Sequence, residues 1–398
     1  MPELVKPEND KQLIELIQYG LAGNKCFSIA GTNTRAGFGY KPEVDIRVSM
    51  SAFTGIIDYE PAELVMRARA GTPLAEIRQL LSDQNQHLAF EPAYLGGLYD
   101  SEAGAGTIAG VFMANNSGSR RFQAGAARDH LLGFKAVNGR GELYKSGGNV
   151  IKNVTGYDLS KVLSGSWGTL SVLSELSFKV LPKPSFSTSV VISGLSINSG
   201  LQLLSQLARS PLQASGLAFL PGAVVPGSTS LQDKITSTCL IRFEGSRTSV
   251  DARIQDLNNI LSNEPQITKI VDEESVEIWR NVNNVSALRA LAVVMKLSIP
   301  PASAATLSEQ LISVEKCQWH ADAAGAWFWI GLPLADAVNN IQRLREHVAN
   351  HGGSAVLYKA PDEIKKQAGL FSPMDPALAA LQQRVKTSFD PENILNPG

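Results

Sequence analysis

The sequence predicts an α+β fold built from two packed units, and three observations carry that prediction. The chain has 398 residues, beyond the size at which one hydrophobic core usually stops growing. Segments of helical period alternate with short apolar strands from end to end, the pattern of sheet and helix layers. Pro182 and Pro184, with serines and threonines after them, interrupt that pattern near the midpoint. The expected organisation is a first unit over 1–184, a second over 185–370, and a closing helix and tail over 371–398.

In the first unit, residues 9–21 place Leu13, Ile14, Ile17 and Leu21 at helical spacing, and a stop is expected before Gly23. A strand over 25–30 follows, then a loop from Gly31 to Gly39, strands over 44–48 and 64–70, and a helix from Pro73 to Asp83. Residues 131–143 read as two strands joined by Asn138-Gly139-Arg140-Gly141, the Asn-Gly pair supplying the positive φ that a hairpin needs. A helix, a glycine pair and the strand SVLSELSFKV close the unit. In the second unit, strands such as STCLIRF, CQWHADAAG and GAWFWIGL alternate with helices such as GLQLLSQLAR and AVNNIQRLREHVANH, with no visible internal repeat. The last helix is expected to stop at Pro391.

Composition narrows the partners. Thirty-six basic and thirty-seven acidic residues give a net charge of -1, which offers no electrostatic reason to expect nucleic acid or an anionic membrane. No apolar run reaches the ~20 residues of a membrane-spanning helix. The opening MPELVKPENDKQL lacks the basic start and apolar stretch of a secretory signal, so a cytoplasmic location is expected. Cys26, Cys239 and Cys317 lie far apart, form no iron–sulfur or zinc pattern, and read as ordinary buried thiols. No metal site is expected. The thirty-four glycines say more, because many fall between Gly20 and Gly168 in short loops that suit close backbone approach to a ligand.

Three such loops stand out. The first, Ser28 to Gly39, leaves a strand and can present consecutive N–H groups to a pyrophosphate, with Thr32 and Thr34 hydroxyls adding donors. The second, residues 103–137, contains Gly104-Ala105-Gly106-Thr107-Ile108-Ala109, a match to the loose GxGxxG/A pattern. A Rossmann reading fails, because YLGGLYDSEA before it is no strand and Asp129 sits in a polar loop beside Arg128. The third, Gly156 to Leu170, passes through Gly165 and Gly168, where bare backbone can meet a flat ring system or simply make a tight turn.

In this order the AGTNT loop, the GTIAGVFMANNSG…GAARDHLLGFKAVNGRGEL stretch and KNVTGYDLSKVLSGSWGTLSVLSELSFKVLPKP resemble PCMH-type, vanillyl-alcohol-oxidase-like FAD domains. Within them the pattern is most similar to the glycolate oxidase E-subunit family. The resemblance spans residues 6–184, and the terminal SFDPENILNPG matches a tail common in the superfamily. It implies a two-subdomain FAD-binding domain, a smaller ferredoxin-like α+β cap, and a tail returning to the FAD domain. It implies non-covalent FAD, since the first loop has neither His nor Cys where tethered relatives carry one. Ala30, Gly31, Thr32, Asn33 and Thr34 would cradle the pyrophosphate, completed by Gly37 and Phe38. Thr107, Ile108, Gly110, Ser117, Gly118, Arg128 and Asp129 would line the ribityl and ring side, and Gly168, Thr169 and Val172 would approach the flavin or ribose.

The resemblance also implies a subunit of a glycolate, or other 2-hydroxy acid, dehydrogenase complex. Its partners would be a catalytic flavoprotein and an iron–sulfur subunit, and any membrane association would come through them. Two alternatives stay open: an assembly subunit whose FAD is structural, and a standalone D-lactate-type dehydrogenase. The histidine-rich motifs of catalytic relatives are missing, so no catalytic residue is assigned. His347 and His351, four apart, end a solvated helix; His320 reads as a core histidine; Lys296 and Arg242 could bind a carboxylate but read as solvated or salt-bridged. Trp167 stands where many relatives carry an acid.

Overall fold

A computed structural model describes residues 2–41, 43–101, 106–148, 157–223, 227–228, 236–261 and 266–397. Gly104 and Ala105 of the second predicted loop, and the KNVTG stretch ending at Gly156 in the third, lie outside these.

The first helix, Asp10–Gly23, is capped by Asn9, whose side chain accepts the Gln12 amide at 3.0 Å. It runs through Gly23, past the expected stop, because Asn24 takes the left-handed conformation (φ 49) that ends it. Its buried face, Leu13 and Ile17, packs on Phe27, Ile46 and Val48. These belong to a parallel three-stranded sheet in which Ile46–Ser49 lies between Glu3–Val5 and Phe27–Ala30. The first glycine loop therefore leaves the carboxyl end of a parallel strand, where ligands collect in open parallel sheets.

A second, antiparallel sheet runs in the order Ile56–Glu60, Val65–Arg69, Ser171–Lys179, Leu131–Asn138, Leu143–Gly147. Its hairpin departs from expectation. The positive φ falls on Gly141 (74) and not on the Asn-Gly pair. Asn138 instead shapes the turn with its side chain, Oδ1 accepting from the amides of Arg140 at 2.9 Å and Glu142 at 3.0 Å. Gly139 is bare because a Cβ there would stand 2.3 Å from Asp390 Oδ1.

Asp390 follows the last helix, Pro376–Phe389, and organises the tail. Its carboxylate accepts from the amides of Ile394 at 3.1 Å and Leu395 at 2.9 Å and from Lys386 Nζ at 2.6 Å. So shaped, the chain returns to the first sheet: the Phe27 amide donates to Ile394 O at 2.8 Å and the Asn396 amide to Phe27 O at 2.9 Å.

The second unit is one antiparallel sheet of eight strands with four helices over one face and helix Asp272–Asn283 against part of the other. Phe186–Ser193, helix Ile197–Ala208, Gly216–Ala223, Thr236–Gly245, helix Arg247–Ile260 and Gln266–Val271 form a βαββαβ half with spatial order 4-1-3-2. Val293–Ser298, helix Ala304–Ile312, Gln318–Asp322, Trp327–Leu332, helix Ala337–Asn350 and Ser354–Lys359 form another, with order 2-3-1-4. The halves join where Phe219 pairs with Ala321. The expectation of no repeat is corrected at the level of topology, because what recurs is the order of elements and not the residues.

Two things lock the units together. Ala93, Leu95 and Leu98 pack on Val285, Leu288, Val294 and Trp329. Beside them Glu91 binds Arg242 through two bonds of 2.9 Å and Arg120 at 2.8 Å, and Arg120 also binds Glu244 at 2.5 Å. Burial alone would raise the Glu91 and Glu244 carboxyls, yet the two guanidiniums, Arg242 foremost, hold both below the usual range. Arg242 is thus a salt-bridged residue, as its sequence context suggested.

Candidate active site

The first and second loops touch. A Cβ on Gly31 would lie 2.5 Å from Thr107 Oγ1, so only glycine lets them close. Thr107 caps the helix Ile108–Met113, accepting the Gly110 amide at 3.3 Å, and Arg35 Nη1 reaches Gly110 O at 3.4 Å. Gly37 is likewise bare because a Cβ would lie 2.4 Å from the Tyr99 ring. The third loop joins through aromatic rings: Phe38 stacks on Trp167 with centroids 4.0 Å apart and planes 12° from parallel. Asn396 ties the loops from below, accepting the Ile29 amide at 2.6 Å and donating to Trp167 O at 2.8 Å.

The remaining predicted positions form the flanks. Ser117 Oγ accepts the Ala127 amide at 2.9 Å, and Gly118 sits on the seam, where a Cβ would lie 2.5 Å from Glu91 O. Arg128 and Asp129 stand in a one-turn helix, Ala127–His130, and not in a loop; the Arg128 amide donates to Asn115 Oδ1 at 3.1 Å, and Asp129 caps that turn through the Ala126 amide at 2.8 Å. Gly168 has φ 74, Thr169 O accepts Lys386 Nζ at 2.6 Å, and Val172 is buried in the core with Ile394 and Leu395.

Whether this cradle suits a dinucleotide can be judged from its unused polar groups. The amides of Thr32, Asn33, Thr34 and Arg35 donate to no acceptor among the described residues; Thr32 and Asn33 are exposed, Thr34 and Arg35 half-buried. In the third loop the hydroxyls of Ser164 and Ser166 are buried without a partner among the described residues. Buried hydroxyls are rarely left unmet in a finished site, and a row of open amides is free to meet an anion. The amides of Gly165, Ser166, Trp167 and Thr169 bond within the protein, so polar demand concentrates in the first loop and those two hydroxyls.

Opposite the loops stands the sheet of the second unit. Tyr358 lies 5.3 Å from Phe38 and 4.8 Å from Trp329, centroid to centroid. Lys296, in register with Trp329, holds Nζ 3.2 Å from the centre of the Trp327 indole. The Arg121 guanidinium, from the first unit, stands 5.0 Å from that same indole. Loss of water pushes the Lys296 ammonium down to about 7, with Arg121 lowering it further and Asp322 raising it. Burial pushes Asp322 up to about 6 against the Ala323 amide and the Ser119 hydroxyl, which donates to it at 2.8 Å.

Lys296 is therefore neither salt-bridged nor freely solvated, a correction to the sequence reading. His320 is buried with Nε2 unpartnered, and burial pushes it down to about 4. Of the cysteines only Cys239 is fully buried; Cys26 and Cys317 are half-buried. His351 Nδ1 contacts His347 O at 2.8 Å, and no metal cluster exists among the described residues. Sequence reasoning missed Arg121, Trp327, Asp322 and Tyr358. The signal for Trp327 and Asp322 was available in strand alternation, which places Asp322 on the same face as His320.

An open run of amides, bare glycines and a tail that clamps the loops suit a cofactor cradle, and the chain's relatives make it an FAD-dependent oxidoreductase with FAD as its cofactor. A model of the FAD binding domain matches residues 2–147, and one of the C-terminal domain of FAD linked oxidases matches residues 364–398. The chain is 30% identical over 392 residues to glycolate oxidase subunit GlcE of Escherichia coli strain K12, covering 97% of this chain and 95% of that protein. It belongs to the GlcE family of FAD-linked glycolate and hydroxy-acid oxidases. A D-lactate dehydrogenase of Anaerostipes hadrus is 27% identical over 180 residues, 45% of this chain and 36% of that one. Among solved structures, 4-ethylphenol oxidase from Gulosibacter chungangensis aligns with TM-score 0.74 at 12% identity, covering 99% of this chain and 88% of that one. p-Cresol methylhydroxylase aligns with TM-score 0.70 at 12% identity, covering 98% and 87%. These two share the mixed α/β fold. No helix among the described residues is long and apolar enough to cross a membrane.

Proposed function

We propose that this chain is the FAD-binding subunit of a glycolate or related 2-hydroxy acid dehydrogenase complex, relaying electrons from substrate or a partner flavoprotein to an iron–sulfur subunit. The observation that carries the reading is the run of unmet amides from Thr32 to Arg35 in the loop whose Phe38 stacks on Trp167, itself in the same loop as the unmet Ser164 and Ser166 hydroxyls. The proposed architecture is an FAD domain over 1–184, a ferredoxin-like cap over 185–370 and a returning tail over 371–398.

In this reading Ala30 to Thr34, with Gly37 and Phe38, hold the pyrophosphate by backbone amides. Thr107, Ile108, Gly110, Ser117, Gly118, Arg128 and Asp129 border the ribityl and ring side. Gly168, Thr169 and Val172 contribute backbone from the third loop. Residues 31–39 contain no His or Cys, so attachment is non-covalent. Bound FAD supplies the acceptor for a hydride or electron pair. The chain's own work is to position that ring, keep water from it with Tyr358, Trp329 and Trp327, and hold the cap in place through the Glu91, Arg120, Arg242 and Glu244 cluster.

The test is the absorption spectrum of the purified chain before and after acid precipitation. A flavin spectrum that moves to the supernatant supports the reading; a folded, colourless protein that takes up no added FAD overturns it. Bleaching by glycolate alone would favour independent catalysis, and bleaching only with partner subunits present would favour relay.

A further inference from the structure

The chain contains two neighbouring arginines with opposite fates. Arg120 is fully paired, with Glu91 and Glu244. The Arg121 side chain has neither a hydrogen bond nor an ion pair among the described residues, and the same is true of the Lys296 side chain across the seam, although both are half-buried. Cations removed from water are normally paired, and two that repel one another while sharing one indole are an unstable arrangement unless something neutralises them. The carboxyl that acts on Lys296, Asp322, is engaged by the Ala323 amide at 2.6 Å and the Ser119 hydroxyl at 2.8 Å, and Asp129, which acts on Arg121 without an ion pair to it, caps its own turn through the Ala126 amide at 2.8 Å. Lys296 Nζ also lies 5.2 Å from the Trp329 ring, which packs on Tyr358, and Tyr358 packs on Phe38 of the first loop.

We propose that Arg121 and Lys296 form a binding subsite for a small carboxylate, with the Trp327 indole as its floor. A flat anion suits this place. The guanidinium offers a planar fork that matches a carboxylate in two bonds, the ammonium adds a point charge, and the indole accepts a planar group face-on. The proposal deepens the functional reading, because it places the acid group of the hydroxy acid between the cap and the flavin loops. It assigns Arg121 and Lys296 to substrate binding, a role sequence alone gave to neither with any force.

The experiment uses the FAD-loaded full chain, with oxalate as a non-oxidisable carboxylate probe and inorganic phosphate as a second arm. Binding is read by calorimetry and tryptophan fluorescence, and FAD content is read separately. Lys296→Met and Arg121→Met are each expected to weaken oxalate at least 10-fold while leaving FAD content and thermal midpoint near wild type, since neither removes a paired charge. Lys296→Arg should retain most of the affinity. Oxalate affinity unchanged in both Met variants overturns the subsite, as does phosphate binding as tightly as oxalate. A colourless protein that still binds oxalate in a Lys296-dependent way would sink the flavin reading and keep the subsite. A yellow protein indifferent to both substitutions would do the reverse.

Discussion

The contact that joins the first loop to the second is the one to perturb. Gly31 does not need a left-handed backbone, so Gly31→Ala tests space alone. The new methyl would lie 2.5 Å from Thr107 Oγ1 and 2.7 Å from its Cγ2. Thr107 has little freedom to yield: it is buried, the next amide donates to Thr72 O at 3.0 Å, and the Leu74 amide donates to Gly106 O at 2.8 Å. Overpacking of this kind costs about 1–3 kcal/mol. Swinging Thr107 off the helix end would add about 1 kcal/mol for the lost cap. If the loops part to relieve the clash, about 2 kcal/mol appears as FAD affinity, roughly 30-fold, since each 1.4 kcal/mol is tenfold. The assay is FAD titration into deflavinated protein alongside urea unfolding, for Gly31→Ala, Thr107→Ser and the double variant. Thr107→Ser removes the methyl and frees the hydroxyl to turn, so coupling of about 1 kcal/mol is expected. Wild-type FAD affinity in Gly31→Ala, with the two substitutions strictly additive, would refute the contact and the cradle built on it.

Three further outcomes are expected. Asn396→Ala removes the bonds to the Ile29 amide and to Trp167 O and should lower stability by about 1–3 kcal/mol, with FAD content falling in parallel; a FAD-loaded variant melting like wild type would show that the tail is not a clamp. Glu91→Gln strips Arg242 of its main partner and should destabilise by about 3 kcal/mol in urea, whereas a loss below 1 kcal/mol would mean the seam is not held by that pair. Oxalate affinity should fall as pH rises through about 7, because the Lys296 ammonium, depressed by burial and by Arg121 and restored in part by Asp322, loses its proton there. The same titration makes the folded chain slightly more stable from about pH 7 upward, since the unfolded lysine keeps its proton to higher pH. Lys296→Met should flatten the binding profile, and an unchanged profile in that variant would assign the titration elsewhere.

Much of the fold could be read from the residues because local rules decided it. Leu13 and Ile17 sit at helical spacing and do form the buried face, and Pro182 and Pro184 lie between Ser171–Lys179 and Phe186–Ser193, strands of different sheets. Errors arose where a side chain replaced a backbone device. Asn24 ended a helix expected to stop before Gly23, and Asn138 shaped a turn whose positive φ was displaced to Gly141. The glycine loops were legible as candidates because absent side chains are visible in a sequence. That Gly31 is bare for Thr107, and Gly37 for Tyr99, was not, since both contacts span more than sixty residues and depend on tertiary approach. Lys296 was misjudged for the same reason: its environment is set by Trp327, thirty-one positions on, and by Arg121 from the other unit.

The two halves of the cap sheet bring a cation each to the same seam, and the difference between them argues for how this site is divided. In the first half Arg242, 3% exposed, meets Glu91 of the FAD domain through paired bonds of 2.9 Å, so its charge is consumed in docking. In the second half Lys296 meets Arg121, which cannot neutralise it. A seam serving only adhesion would gain by matching both cations, because an unpaired half-buried charge weakens docking. The first half thus fixes the second unit's position, while the second leaves its charge open beside Trp327 and Trp329. A charge left unmet at a seam otherwise so fully paired is most economically explained by an anion that comes and goes.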